Sequence, residues 1–158
     1  MGTLATVVYV ATFCCSLLAW LVLLAGTGAL YGVCPAACIY YFGLSWWAIW
    51  FQFIILVTSI PVGLLGARAW KAPVLALLAI NTAIAMKQTD GFLSTKLVDP
   101  TYAAFPGRMD TTIAGFGLVS IFNVFLILVL GVADEEIKAA PREPMRSAYS
   151  GSMSAPLA

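Results

Sequence analysis

The chain has 158 residues, of which 62% are hydrophobic and 9% are charged, and its mean hydropathy is +0.98. Soluble domains carry roughly 25% charged residues, and here every charged residue lies after position 67. A soluble fold with so much uncharged surface would precipitate, so the composition excludes a soluble globular domain and predicts an integral membrane protein.

The sequence contains no histidine, which removes the usual imidazole base and the commonest metal ligand. It also contains no Cys-x-x-Cys pair, no Gly-rich phosphate loop and no paired carboxylates at membrane depth. We therefore predict that the protein is not an enzyme and has no catalytic residues, no cofactor and no metal site. Bound lipids are the ligands we expect, and the absence of a basic cluster argues against nucleic acid.

Four runs of apolar residues are long enough to cross the hydrocarbon core, which is roughly 30 Å thick and needs about 20 residues of helix. They predict an all-α fold, a four-transmembrane-helix bundle with short loops in a domain of residues 1–133. The predicted helices cover residues 4–25, 44–65, 70–86 and 111–133. The third is the shortest, and Lys71 and Lys87 flank it with aliphatic stems that can reach the two interfaces.

Four spans place both termini on one side, and the distribution of lysine and arginine predicts which side that is. The loop after the second span and the C-terminal tail carry five basic residues, against three on the opposite side. This bias predicts cytoplasmic termini, in the plasma membrane or an endomembrane. Cys34 and Cys38 then lie in the first outer loop, where an oxidising compartment allows a disulfide between them. Two free thiols are the alternative.

The polar side chains inside the spans are all non-ionisable, and hydrocarbon makes them costly unless they have partners. Asn81 and Asn123 lie about ten residues from the cytoplasmic ends of spans three and four, so both are roughly 15 Å deep. Their matched depth predicts an interhelical contact in which the two amides hydrogen-bond each other. A site for a solute or a lipid at this pair is the alternative.

Two further patterns concern the shape and packing of the helices. Pro61 lacks a backbone N–H and predicts a bend in the second span. Small residues admit a neighbouring helix backbone and predict the packing faces of spans two and four, at Gly63, Ala67, Gly115, Gly117 and Ser120.

Residues 134–158 are rich in Pro, Ser and Ala with scattered charge, a composition that predicts a mostly irregular cytoplasmic tail. Arg142 and Arg146 precede or adjoin several hydroxyls, which makes Ser147 and Ser150 candidate phosphorylation sites. An ordinary Ser-rich tail is the alternative. We expect this tail to dock on the cytoplasmic part of a partner.

In layout the chain resembles MARVEL-type tetraspans, which have four helices, cytoplasmic termini, short loops, a tight loop between spans two and three, and a soluble tail. Here that loop is basic, with Arg68 and Lys71. The resemblance covers the four spans and rests on layout alone, so it implies no functional residues. Claudins place a Gly-Leu-Trp element before their two cysteines, whereas here Gly43 to Trp46 follows Cys34 and Cys38.

Two classes of function fit these observations. The first is a non-catalytic accessory or scaffolding subunit of a larger integral membrane complex, such as a pump, transporter or channel, or a membrane-organising tetraspan. Its partners would be the larger membrane protein, its own copies and lipids. The alternative is a small oligomeric channel or carrier for water or a neutral solute, with a pore lined by Gln52, Asn81, Asn123 and nearby hydroxyls.

Overall fold

A computed structural model describes residues 3–33, 43–98 and 106–139, and the side chains of the last helix up to Gly131. The described chain forms four α-helices and one short 3₁₀ turn, Arg68–Trp70, and it contains no strand within these ranges. The helices are α1 (Thr3–Tyr31), α2 (Gly43–Leu64), α3 (Lys71–Val98) and α4 (Pro106–Ala139). The predicted all-α, four-helix architecture is therefore confirmed.

Each of the four helices has the length and the apolar composition needed to cross a membrane. The chain is accordingly an integral membrane protein with four candidate spans. Many large apolar side chains remain exposed on the outer surface of the bundle, as expected for helices whose solvent is lipid: examples are Leu18, Ile54, Ile80, Ile121 and Leu128.

The helices extend beyond most of the predicted spans. Only α2 agrees to within one residue at both ends, whereas α1 continues to Tyr31 rather than ending at 25. The largest difference is in α3, which runs to Val98 rather than 86. Lys87 and Asp90 mark where the continuous apolar sequence ends, but the helix continues because its inner face is still packed, and Phe92 is fully buried.

The fourth helix also differs from the prediction at both ends, since α4 begins at Pro106 and ends at Ala139 rather than covering 111–133. Proline is well suited to a first helical turn because the missing N–H has no partner there anyway. The first residues of the predicted tail therefore belong to α4. The remaining tail, with the candidate sites Ser147 and Ser150, lies outside the described residues, as do Cys34 and Cys38.

Consecutive helices run antiparallel, and α4 returns to pack along α1, which closes the bundle. Between α1 and α2, for example, the early Tyr9 bonds the late Ser59, while the later Trp20 bonds the carbonyl of the earlier Ile49. The most extensive contact is between α1 and α4, followed by that between α3 and α4.

Two glycines set the closest approach of α1 and α4. A Cβ on Gly115 would lie 2.6 Å from the Cα of Leu23, and a Cβ on Gly26 would lie 2.9 Å from the backbone nitrogen of Thr112. No side chain fits between the two backbones at these points. Gly115 is one of the predicted packing residues, whereas Gly26 is not, although its neighbours Ala25 and Ala29 already make that stretch of α1 rich in small residues.

The other predicted packing residues divide into two groups. A Cβ on Gly63 would overlap the ring of Tyr9, and Ser120 is buried with its hydroxyl bonded to the carbonyl one turn earlier. Ala67 is half-buried at the end of the connection after α2. A Cβ on Gly117, by contrast, would meet no atom within 4 Å, so although Gly117 is half-buried it is not a point of close helix approach within the described chain.

Pro61 lies near the end of α2, and the helix continues past it to Leu64. Its carbonyl accepts hydrogen bonds from the backbone N–H groups of Leu65 and Ala67, at 3.2 and 3.1 Å. Gly66 between them has φ of 66°, a left-handed conformation that glycine adopts without strain and that commonly ends a helix. Pro61 therefore supplies an acceptor that closes the end of α2.

Candidate functional site

One polar side chain from each helix meets its counterparts in the middle of the bundle. All four are buried, with at most 1% of the residue exposed. We call this group the central quartet: Ser16 of α1, Gln52 of α2, Asn81 of α3 and Asn123 of α4. The antiparallel arrangement places them at one level, because each lies near the middle of its own helix.

Gln52 connects the other three members. Its Nε2 donates to Asn123 Oδ1 at 2.8 Å and to Ser16 Oγ at 3.3 Å. Its Oε1 accepts from Asn123 Nδ2 at 2.9 Å and from Asn81 Nδ2 at 2.5 Å. Gln52 and Asn123 thus form a two-bond amide pair across the diagonal of the bundle, and Gln52 uses both donors and its acceptor oxygen.

The predicted contact between Asn81 and Asn123 takes a different form. Both asparagines lie at the predicted common level, but in the described hydrogen bonds they are joined through Gln52 and not to each other. Gln52 is expected from the sequence only as a pore-lining residue of the alternative function, and Ser16 is not predicted at all. Comparing the depth of polar residues across all four spans, rather than across two, would have identified both.

The chemistry available to the central quartet is limited to hydrogen bonding, because three amides and one hydroxyl do not titrate near neutral pH. In the described part of the chain, Asn81 Oδ1 is buried and has no hydrogen-bond partner. The quartet can therefore hold helices together or contact a neutral molecule, but it cannot relay a proton or balance the charge of an ion.

Large apolar side chains enclose the quartet on both sides. The quartet divides the bundle into two halves. The Arg68 half is the end at which α1 begins and α2 ends, and the Tyr31 half is the opposite end. The quartet is covered towards the Arg68 half by Leu56, Leu78 and Leu126, and towards the Tyr31 half by Leu23, Ile49 and Phe116, all at most 1% exposed.

In the Arg68 half, the buried hydroxyls are paired. Tyr9 donates to the Ser59 carbonyl at 2.8 Å and lies 3.3 Å from Ser59 Oγ, which itself bonds the Leu56 carbonyl. The ring of Tyr9 fills the space that Gly63 leaves open on α2. This contact closes the interior of the Arg68 half with all of these polar atoms hydrogen-bonded.

The Tyr31 half contains a second set of buried polar groups. Gln88 Nε2 donates to Ser45 Oγ at 2.6 Å, which joins α3 to the start of α2. The ring of Tyr31 packs edge-on against Trp46 with centroids 5.4 Å apart. Within the described ranges, the buried Oγ1 of Thr27 and the hydroxyl of Tyr31 have no hydrogen-bond partner.

A shallow groove of about 480 Å³ lies between α1 and the start of α4 in the same half. Arg108 crosses it and donates to the Ala29 carbonyl at 3.0 Å. Small residues form most of its walls, which are Ala25, Gly26, Ala29, Pro106, Gly107, Arg108 and Thr111.

The remaining candidates contribute no further chemistry. Cys14 is exposed and Cys15 is half-buried, and both are free thiols. Among the residues whose positions are described, no group of three or more His, Cys, Asp or Glu side chains could hold a metal ion.

Comparison with known proteins adds no relative from which a function could be transferred. No family model matches the chain, and neither a curated protein nor a solved structure matches it.

Proposed function

We propose that the protein is a non-catalytic accessory or scaffolding subunit that packs against a larger integral membrane protein, such as a pump, transporter or channel, or against its own copies. Both termini would lie in the cytoplasm, with the segment after α4 contacting the partner, and bound lipids would occupy the rest of the outer surface. The layout shared with MARVEL-type tetraspans fits a role in organising a membrane assembly.

The central quartet is the observation that carries this proposal. The polar groups at membrane depth lie inside a single chain, hydrogen-bond across the helices and are enclosed by Leu56, Leu126 and Phe116. Transport across such a bundle would require these packed layers to separate. A bundle built in this way is suited to act as a rigid body that offers its outer surface to other molecules.

The outer surface of α4 favours a protein contact at one place. Gly117 is half-buried with open space where a Cβ would lie, although glycine weakens a helix by about 1 kcal/mol relative to alanine. Small residues of this kind let the backbone of another helix approach closely. Gly117 therefore remains a candidate packing residue, for contact with a second protein rather than within the bundle.

The alternative function is a small oligomeric channel or carrier for water or a neutral solute. Its supporting observation is the buried, unbonded Oδ1 of Asn81, which could accept a hydrogen bond from such a molecule. Gln52, Asn81 and Asn123 lie inside one chain, so they would not line a pore between copies. Any such path would have to run through each bundle separately.

Native mass analysis after gentle solubilisation tests the first proposal directly. We expect the full chain to migrate in an assembly larger than itself, and Gly117→Leu to reduce that assembly without lowering the thermal stability of the bundle. Gly115→Leu is the matched comparison, since a side chain there should damage the bundle itself. A sharp monomer, together with solute flux in liposomes made from the pure protein, would favour the channel instead.

A further inference from the structure

Threonine hydroxyls inside helices commonly donate to the carbonyl one turn earlier, which gives them a partner without help from another helix. Within the described residues, seven threonines do so, each bonding a described carbonyl four residues before it. They are Thr12, Thr58, Thr82, Thr89, Thr95, Thr111 and Thr112, with distances of 2.7 to 3.0 Å.

Thr27 departs from this pattern although it is fully buried, where an unpaired hydroxyl is costly. Its side chain is fully buried, yet its Oγ1 bonds neither the Leu23 carbonyl nor any other group in the described chain. Tyr31 lies one turn further along the same face of α1, and its buried hydroxyl is also without a partner there. Two hydroxyls on one face therefore retain their full capacity to donate and accept hydrogen bonds.

We propose that Thr27 and Tyr31 form a binding site for a water molecule, held between α1 and the start of α2. Helical side chains lean back over the turn that precedes them, so the Tyr31 ring extends towards the turn of Thr27 on the same face of α1, and water at this place can hydrogen-bond both hydroxyls. The hydroxyls are neutral, so the site suits a neutral molecule better than an ion, which would lose its hydration without gaining an opposite charge.

The surroundings of the two hydroxyls support a polar occupant. The Tyr31 ring rests against Trp46, and the preceding residue, Ser45, already accepts a hydrogen bond from Gln88. This end of α2 therefore brings polar atoms to the interior beside α1. In the Arg68 half, by contrast, Tyr9 and Ser59 bond each other and leave no comparable capacity.

Two isosteric substitutions test the proposal by the sign of their effect. If water occupies the site, Thr27→Val and Tyr31→Phe each remove a hydrogen-bonded hydroxyl and should lower the thermal midpoint of the purified full chain. If the hydroxyls have no partner at all, the same substitutions remove an unsatisfied polar atom and should raise the midpoint. Tyr9→Phe is the matched control, because it removes a hydroxyl with a known partner and should lower the midpoint.

Water-edited solid-state NMR on the unsubstituted protein in lipid bilayers gives a second, independent measurement. Magnetisation from water should reach the Thr27 side chain faster than it reaches the Ser59 side chain, although both residues are fully buried. Transfer to Thr27 that is no faster than to Ser59 would overturn the proposal, as would a rise in the thermal midpoint from either substitution.

Discussion

The two halves of the bundle use the same kinds of side chain in different ways. In the Arg68 half, Tyr9 reaches across to Ser59 and every hydroxyl of that pair is hydrogen-bonded. In the Tyr31 half, the hydroxyls of Thr27 and Tyr31 are buried without hydrogen-bond partners in the described chain. A tyrosine buried inside a membrane bundle is therefore not by itself evidence of a polar site, since the outcome depends on whether the facing helix supplies an acceptor.

The central quartet is the boundary between these halves, and disrupting it should have the largest effect. Gln52→Leu removes four hydrogen bonds and leaves two asparagines without their partner. At about 0.6 kcal/mol for an average interhelical contact in a membrane, the loss should be about 2–3 kcal/mol of unfolding free energy. Denaturation in mixed micelles measures it.

Gln88→Leu is the matched control, because Gln88 is also an interhelical glutamine but makes a single bond, to Ser45. Its loss should be about 0.6 kcal/mol. Equal losses for the two substitutions would show that Gln52 does not connect the helices as described.

The sequence predicts the number and class of the helices well, because a run of about 20 apolar residues has few alternatives to a membrane span. It does not predict where α3 ends, since hydropathy reports where the continuous apolar run stops and not the packing of Phe92 after that point. The sequence likewise does not predict that Asn81 pairs with Gln52. Depth along a span can be counted from the sequence, but rotation about the helix axis, which selects the partner, depends on how all four helices pack.

The two halves should also respond differently to a single added methyl group. At Gly115, in the Tyr31 half, the obstacle to a Cβ is the backbone of Leu23, whereas at Gly63, in the Arg68 half, it is the ring of Tyr9. The helix backbone of Leu23 cannot move away as a side chain can. Gly115→Ala should therefore lower the unfolding free energy by about 2 kcal/mol, within the range for overpacking. Gly63→Ala should cost less in unfolding free energy if the ring moves.

The same experiment has two internal checks. Gly117→Ala adds its methyl group to open space and should be neutral or stabilising by up to about 1 kcal/mol, from helix propensity alone. Movement of the Tyr9 ring in Gly63→Ala should also make a further Tyr9→Phe substitution nearly silent, because the bond to Ser59 is already lost. A Gly115→Ala variant as stable as Gly117→Ala would contradict the close approach of α1 and α4.

Leu substitutions at Asn81 and Asn123 should have unequal effects on stability, although the two asparagines look equivalent in the sequence. Asn123 makes two hydrogen bonds with Gln52, whereas Asn81 makes one and also buries an oxygen without a partner in the described chain. Asn123→Leu should therefore cost about 1 kcal/mol, and Asn81→Leu should be close to neutral. The double variant compared with the two single ones measures their coupling through Gln52, and strictly additive losses would contradict a shared network.

The smallest effect is expected at the far end of the Tyr31 half, where Lys96 of α3 forms an ion pair with Asp110 of α4. Both side chains are substantially exposed, at 33% and 54%, so water and salt weaken their attraction. Exposed pairs of this kind contribute about 0.2–1 kcal/mol, and Lys96→Met should fall at the low end of that range. Unfolding in low and high salt checks the assignment, because the difference between Lys96→Met and the unsubstituted protein should shrink as salt rises. A loss that is large and independent of salt would mean that Lys96 packs against the bundle through its aliphatic stem, and the close packing of the Tyr31 half would then extend to the end of α3.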